Sequence, residues 1–92
     1  MDLAHQRAQG LLGVAHALRD PHRSELFAAL ESLDTGRPIA ETLGDVDSAA
    51  EAFEWMAGQA FAMSGQHMQM TGQDTATVLR EPLGVCVGIG AW

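Results

Sequence analysis

The sequence contains the uninterrupted apolar run Val85-Cys86-Val87-Gly88-Ile89-Gly90-Ala91-Trp92. No charged side chain divides this run into an inward and an outward face. Such runs are typical of strands that are buried on both faces, as in the parallel sheets of α/β proteins. A strand of that kind needs parallel neighbours and covering helices. The run therefore predicts a strand of a parallel sheet, over residues 85–92.

The residues before this run contain too little structure to cover it. Positions 1–65 carry helical periodicity, and positions 66–83 have the alternation and turn residues of a β-hairpin. Three helices and a hairpin cover one face of a strand at most. We therefore expect the opening part of a larger α/β protein, with three helices, a β-hairpin and the first strand of a parallel sheet.

The first helix is predicted from an apolar stripe at three- and four-residue steps between Leu3 and Leu18. Gly10 and Gly13 lie within it and suggest close packing against another backbone, or a helix that depends on its neighbours for stability. The second helix is predicted between Asp20-Pro21, an N-cap followed by a first-turn proline, and Gly36. Its expected apolar face consists of four large residues: Leu26, Phe27, Leu30 and Leu33.

The third helix is predicted from Asp45 to Gly65. Carboxylates at its start suit the positive end of the helix dipole, and Ser48 with Glu51 has the spacing of a capping box. The expected hairpin pairs positions 67–70 with positions 75–79, because residues 71–74 have turn chemistry.

Composition limits the classes of partner. The chain has 92 residues and a formal charge of −7, from 5 Arg, no Lys and 12 Asp plus Glu. An acidic chain disfavours nucleic acid and anionic membranes, so neither partner is expected. No run is long enough to span a bilayer and the N-terminus lacks the apolar core of a signal peptide. We expect a cytoplasmic protein.

Several residues could be catalytic or ligand-binding by their type. Cys86 lies within an apolar run with no histidine nearby in sequence, so packing is favoured over nucleophilic chemistry. Gly84, Gly88 and Gly90 do not have the spacing of a dinucleotide fingerprint. A copper(I) site is a weak hypothesis, because alternation places His67 and Met68 on opposite faces; its four candidate ligands are Met63, His67, Met68 and Met70.

Four short stretches, in order, resemble the aldehyde dehydrogenase family. They are Leu30-Glu31-Ser32-Leu33-Asp34-Thr35-Gly36-Arg37-Pro38-Ile39, then Glu41 with Asp45-Val46, Ala57-Gly58, and Arg80-Glu81-Pro82-Leu83-Gly84-Val85. The likeness runs from about Arg7 to Trp92. The full run from Arg80 to Trp92 is most similar to the branch that acts on betaine aldehyde and 4-trimethylaminobutyraldehyde.

The resemblance implies a division of the chain into three parts. Residues 1–65 would be the helical front of an NAD-binding domain, residues 66–83 the hairpin of an oligomerisation extension, and residues 84–92 the first strand of the nucleotide-binding sheet, truncated. It implies cofactor-binding roles for Ile89, Gly90, Ala91 and Trp92. It also implies that Asp34 contributes to a structural monovalent-cation site.

No catalytic residue is expected within this chain. In the family, a cysteine nucleophile, a glutamate base and an oxyanion-binding asparagine act together, and all would lie downstream of Trp92. The expected function is that of a fragment of an NAD-dependent, homo-oligomeric enzyme oxidising small aldehydes to carboxylates, inactive by itself. One alternative is a non-enzymatic truncated product that binds full-length subunits through its hairpin. Another is an incomplete gene model.

Overall fold

The computed structural model describes residues 3–90. It contains helix α1 (Ala4–Arg19), helix α2 (Pro21–Thr35), helix α3 (Ile39–Gln59), strand β1 (Gln66–Gln69) and strand β2 (Thr75–Val78). The chain divides between Ala62 and Met63 into a helical unit and a hairpin unit. None of the helices described combines the length and the apolar character that crossing a bilayer requires.

Helix α2 begins and ends as the sequence predicts. The Asp20 carboxylate accepts a hydrogen bond from the Arg23 backbone N–H at 3.2 Å, and Pro21 occupies the first helical position. At the other end Gly36 adopts the left-handed conformation, with φ 75°, and donates its N–H to the Ser32 carbonyl at 2.9 Å. Both ends are therefore fixed by residue chemistry that is visible in the sequence.

Helix α3 does not begin where the sequence suggested. It starts six residues before Asp45, at Ile39, and its N-cap is Pro38, whose carbonyl accepts from the N–H groups of Glu41 and Thr42. The capping box of Ser48 with Glu51 is wrong, because both residues lie inside the helix. The helix also ends at Gln59 rather than near Gly65.

The core of the helical unit consists of small side chains. Its buried apolar residues are Ala8, Ala15, Ala28, Val46, Ala50 and Ala57. Small residues allow helix backbones to approach closely, and α3 packs against both α1 and α2. Gly10 and Gly13 do not take part in this approach, because a Cβ at either position would meet nothing within 4 Å.

The predicted apolar face of α2 is not buried in this unit. Ala28 is the buried residue of that helix, and the large apolar residues are exposed. The exposed set is Leu26, Phe27, Leu30 and Leu33. Periodicity located this apolar stripe correctly but not the side of α2 that faces α3. Ala28 lies on that side, and its carbonyl accepts a hydrogen bond from the Thr42 hydroxyl.

The hairpin unit agrees with the expected turn and pairing. Strands β1 and β2 are antiparallel, and Met68 lies opposite Ala76 while His67 lies opposite Thr77. The Met70 N–H donates to the Asp74 carbonyl at 2.9 Å, and Gly72 supplies the positive φ of the turn. A Cβ at Gly65 would overlap the Val78 carbonyl oxygen, which explains a glycine beside β1.

The predicted strand over residues 84–92 is not present in the part that the structure describes. Residues 84–90 form neither helix nor strand, and β1 and β2 make up a two-stranded sheet. A parallel strand exists only when a neighbouring strand accepts and donates its backbone hydrogen bonds. No such neighbour pairs with residues 84–90, so the observed class is helices with an antiparallel hairpin.

Candidate functional site

The segment that should border a cofactor is an exposed apolar peptide. Val85 is fully exposed, and Val87 and Ile89 are 84% and 95% exposed. Ile89 and Gly90 are the two predicted cofactor-binding residues within the described range. Ala91 and Trp92, the other two, lie outside the described residues. The structure therefore describes two of the four predicted residues, in an exposed segment, and their cofactor-binding role stays a prediction.

Glycines leave the backbone of this segment open. A Cβ at Gly88 or Gly90 would meet nothing within 4 Å, and Gly84 has a φ of 94°. Cys86 is exposed, and its thiol makes a long 3.8 Å contact with the Gly84 carbonyl. The prediction that Cys86 would be a buried packing residue is therefore not met in this chain.

Asp34 lies in the last turn of α2 and is exposed. A cation site needs several oxygen ligands around one point. Residues 3–90 contain no group of three or more histidine, cysteine, aspartate or glutamate residues that could hold a metal ion. Asp34 by itself therefore does not fit a cation site, and its predicted role stays a prediction.

At the corner between α2 and α3, one arginine contacts three carboxylates. The Arg37 guanidinium contacts Glu31 at 3.5 Å and Glu41 at 3.4 Å, and it also pairs with Asp45. Hydrogen bonding to Asp45 raises the pKa of Arg37 above its usual value. An arginine side chain is cationic at every ordinary pH, and this guanidinium ties the end of α2 to the start of α3 through its carboxylate partners.

Sequence reasoning missed this corner. Glu41 and Asp45 are four residues apart, a spacing that would have indicated one helical face if α3 had been started at Ile39, and Arg37 precedes that helix by two residues. Beside it the Thr42 hydroxyl is fully buried and donates to the Ala28 carbonyl at 2.9 Å. These residues position helices, and none forms a pair of nucleophile and base.

The hairpin does not bring the soft-metal candidates together. In the observed register Gln66 and Met68 share a face with Ala76 and Val78, whereas His67 belongs to the opposite face. The His67 Nδ1 atom lies 3.2 Å from the Thr77 hydroxyl, which gives one of the two ring nitrogens a polar partner. A cross-strand polar pair accounts for this histidine without a metal.

A shallow apolar depression lies between α1 and α3. It has a volume of about 230 Å³ and is lined by Leu11, Ala52, Phe53 and Met56. No polar side chain lines it, so it offers nothing that would orient a substrate.

Comparison with known proteins identifies the family of this chain, which the geometry described above does not reveal. The model of the aldehyde dehydrogenase family matches residues 3–92. The chain belongs to the aldehyde dehydrogenase family. The resemblance drawn from four short stretches is therefore confirmed.

Curated relatives within this family match nearly the whole chain. A 4-trimethylaminobutyraldehyde dehydrogenase of Oryzias latipes is 46% identical over 87 residues, covering 95% of this chain and 17% of that protein. The mouse protein of that name is 41% identical, with equal coverage. A betaine aldehyde dehydrogenase of Cereibacter sphaeroides is 52% identical over 71 residues, covering 76% of this chain and 14% of that protein. No solved structure gives a significant match.

The chain thus spans less than a fifth of the length of the aldehyde dehydrogenases it matches. Family membership is carried by the helical unit, the hairpin and the apolar segment together.

Proposed function

We propose that this chain is the N-terminal part of an NAD-dependent aldehyde dehydrogenase that oxidises small aldehydes to carboxylates. Betaine aldehyde and 4-trimethylaminobutyraldehyde are the proposed substrate class, by likeness to relatives of those names. The proposed enzyme is a cytoplasmic homo-oligomer. The chain by itself is proposed to be inactive, since the nucleophile and the base are expected in the remainder of the enzyme.

One observation carries this proposal. The apolar side chains around Val87 are exposed to solvent, and the chain covers only 17% of the length of a relative. Burying one large aliphatic side chain stabilises a protein by about 1.5–3 kcal/mol. Several adjacent exposed aliphatic side chains therefore indicate a surface that other residues bury in the complete protein. A parallel sheet supplied by the rest of an enzyme would cover this segment on both faces.

The residues present fit one limited role toward the nicotinamide cofactor. Bound NAD would supply the acceptor for the hydride of the aldehyde. Gly88 and Gly90 leave the backbone open to close approach, and Ile89 offers an apolar wall that would exclude water. Nothing within residues 3–90 supplies a phosphate-binding turn followed by a helix, so those contacts belong to the proposed remainder.

A chimera tests the proposal. The segment of the Oryzias latipes enzyme that matches this chain would be replaced by the chain itself, and the purified protein assayed for aldehyde-dependent reduction of NAD. We expect activity with betaine aldehyde and none from the 92-residue chain alone. Matched assays with an uncharged aldehyde of similar length, and with NADP, test the substrate class and the cofactor.

Two results would contradict the proposal. One is a chimera that folds and assembles like its parent but oxidises no aldehyde. The other is aldehyde oxidation by the isolated chain. A parent enzyme lacking the exchanged segment is the control that shows the segment is required.

A non-enzymatic binding product is the second candidate. It is favoured by the hairpin, because a two-stranded sheet has an open outer edge on each strand. Co-elution of the isolated chain with intact subunits of a relative would support it, if a proline in place of Thr77 abolished the co-elution. An inactive chimera together with such binding would favour this candidate over the enzyme fragment.

A further inference from the structure

We draw no further inference here: the strongest candidate, the side-chain cluster at the corner between α2 and α3 in which Arg37 contacts three carboxylates, serves to hold the two helices together, and no second observation within residues 3–90 points to a ligand there.

Discussion

Thr42 shows how one buried hydroxyl fixes the distance between two helices. It is fully buried, and its Oγ1 donates to the Ala28 carbonyl of α2 at 2.9 Å, with the Ile39 carbonyl at 3.2 Å. A buried hydroxyl costs free energy unless it is hydrogen-bonded. Because packing α3 against α2 buries the Thr42 hydroxyl, the hydrogen bond to Ala28 is needed to offset that cost. The sequence could not reveal it, because the predicted third helix began after Thr42.

We expect Thr42→Val to lower the free energy of unfolding by about 1 kcal/mol, the typical net contribution of one hydrogen bond. Shape is nearly preserved, so the loss measures the hydroxyl and not a cavity. Urea denaturation followed by the helical circular dichroism signal gives the value. Thr71→Val, in the exposed turn of the hairpin, should change it by much less; equal effects would contradict the role assigned to Thr42.

Two glycines of the helical unit should respond to alanine with opposite signs. Gly13 lies inside α1 with open space around it, so Gly13→Ala should stabilise the unit by about 1 kcal/mol through helix propensity. Gly36 also has open space, but its φ of 75° strains any side chain. Gly36→Ala should therefore destabilise by about 1 kcal/mol. Thermal unfolding midpoints that move in the same direction would refute this contrast.

At the scale of elements, local chemistry predicted helix ends better than helix faces. Asp20-Pro21 and Gly36 bounded α2 correctly, and the turn at residues 71–74 predicted the hairpin, because caps and turns depend on adjacent residues. The start of α3 was missed because acidic residues near Asp45 imitate an N-terminus. The side of α2 on which its large apolar residues lie depends on which neighbour the helix packs against, and periodicity alone carries no such information.

The packing of α3 within the helical unit depends on small buried side chains. Ala50 is fully buried on α3, and Ala15 is 1% exposed on α1. We expect Ala50→Leu to destabilise the helical unit by about 1–3 kcal/mol, since a larger side chain must push the helices apart. Ala40→Leu, at an exposed position of α3 outside the apolar depression, is the control and should have little effect. Equal denaturation midpoints for both variants would show that the interface is loose.

At the scale of the whole molecule, we expect hydrogen exchange to be slow in α3 and fast in residues 85–90. Amides in the middle of α3, around Ala50, should exchange slowly with solvent because they are hydrogen-bonded within a packed helix. Amides of residues 85–90 should exchange at nearly unprotected rates, because no strand pairs with them. Hydrogen exchange followed by mass spectrometry measures both. Strong protection of residues 85–90 in a monomer would show that the segment has cover within this chain.

The final prediction separates what this chain needs from what a complete enzyme would need. Val87 is exposed and contributes no packing here, so Val87→Asp should change the unfolding free energy of the 92-residue chain by less than about 0.5 kcal/mol. Within the chimera the same carboxylate would enter a sheet buried on both faces, where an unpaired charge is not tolerated. We therefore expect loss of folded, active chimera, measured as aldehyde-dependent reduction of NAD.

Because Leu83 is as exposed as Val87 but precedes the run, Leu83→Asp is the matched control, and it should retain more activity. A fully active Val87→Asp chimera would mean that this segment stays on the surface of the enzyme, and the proposed sheet would then lack its first strand.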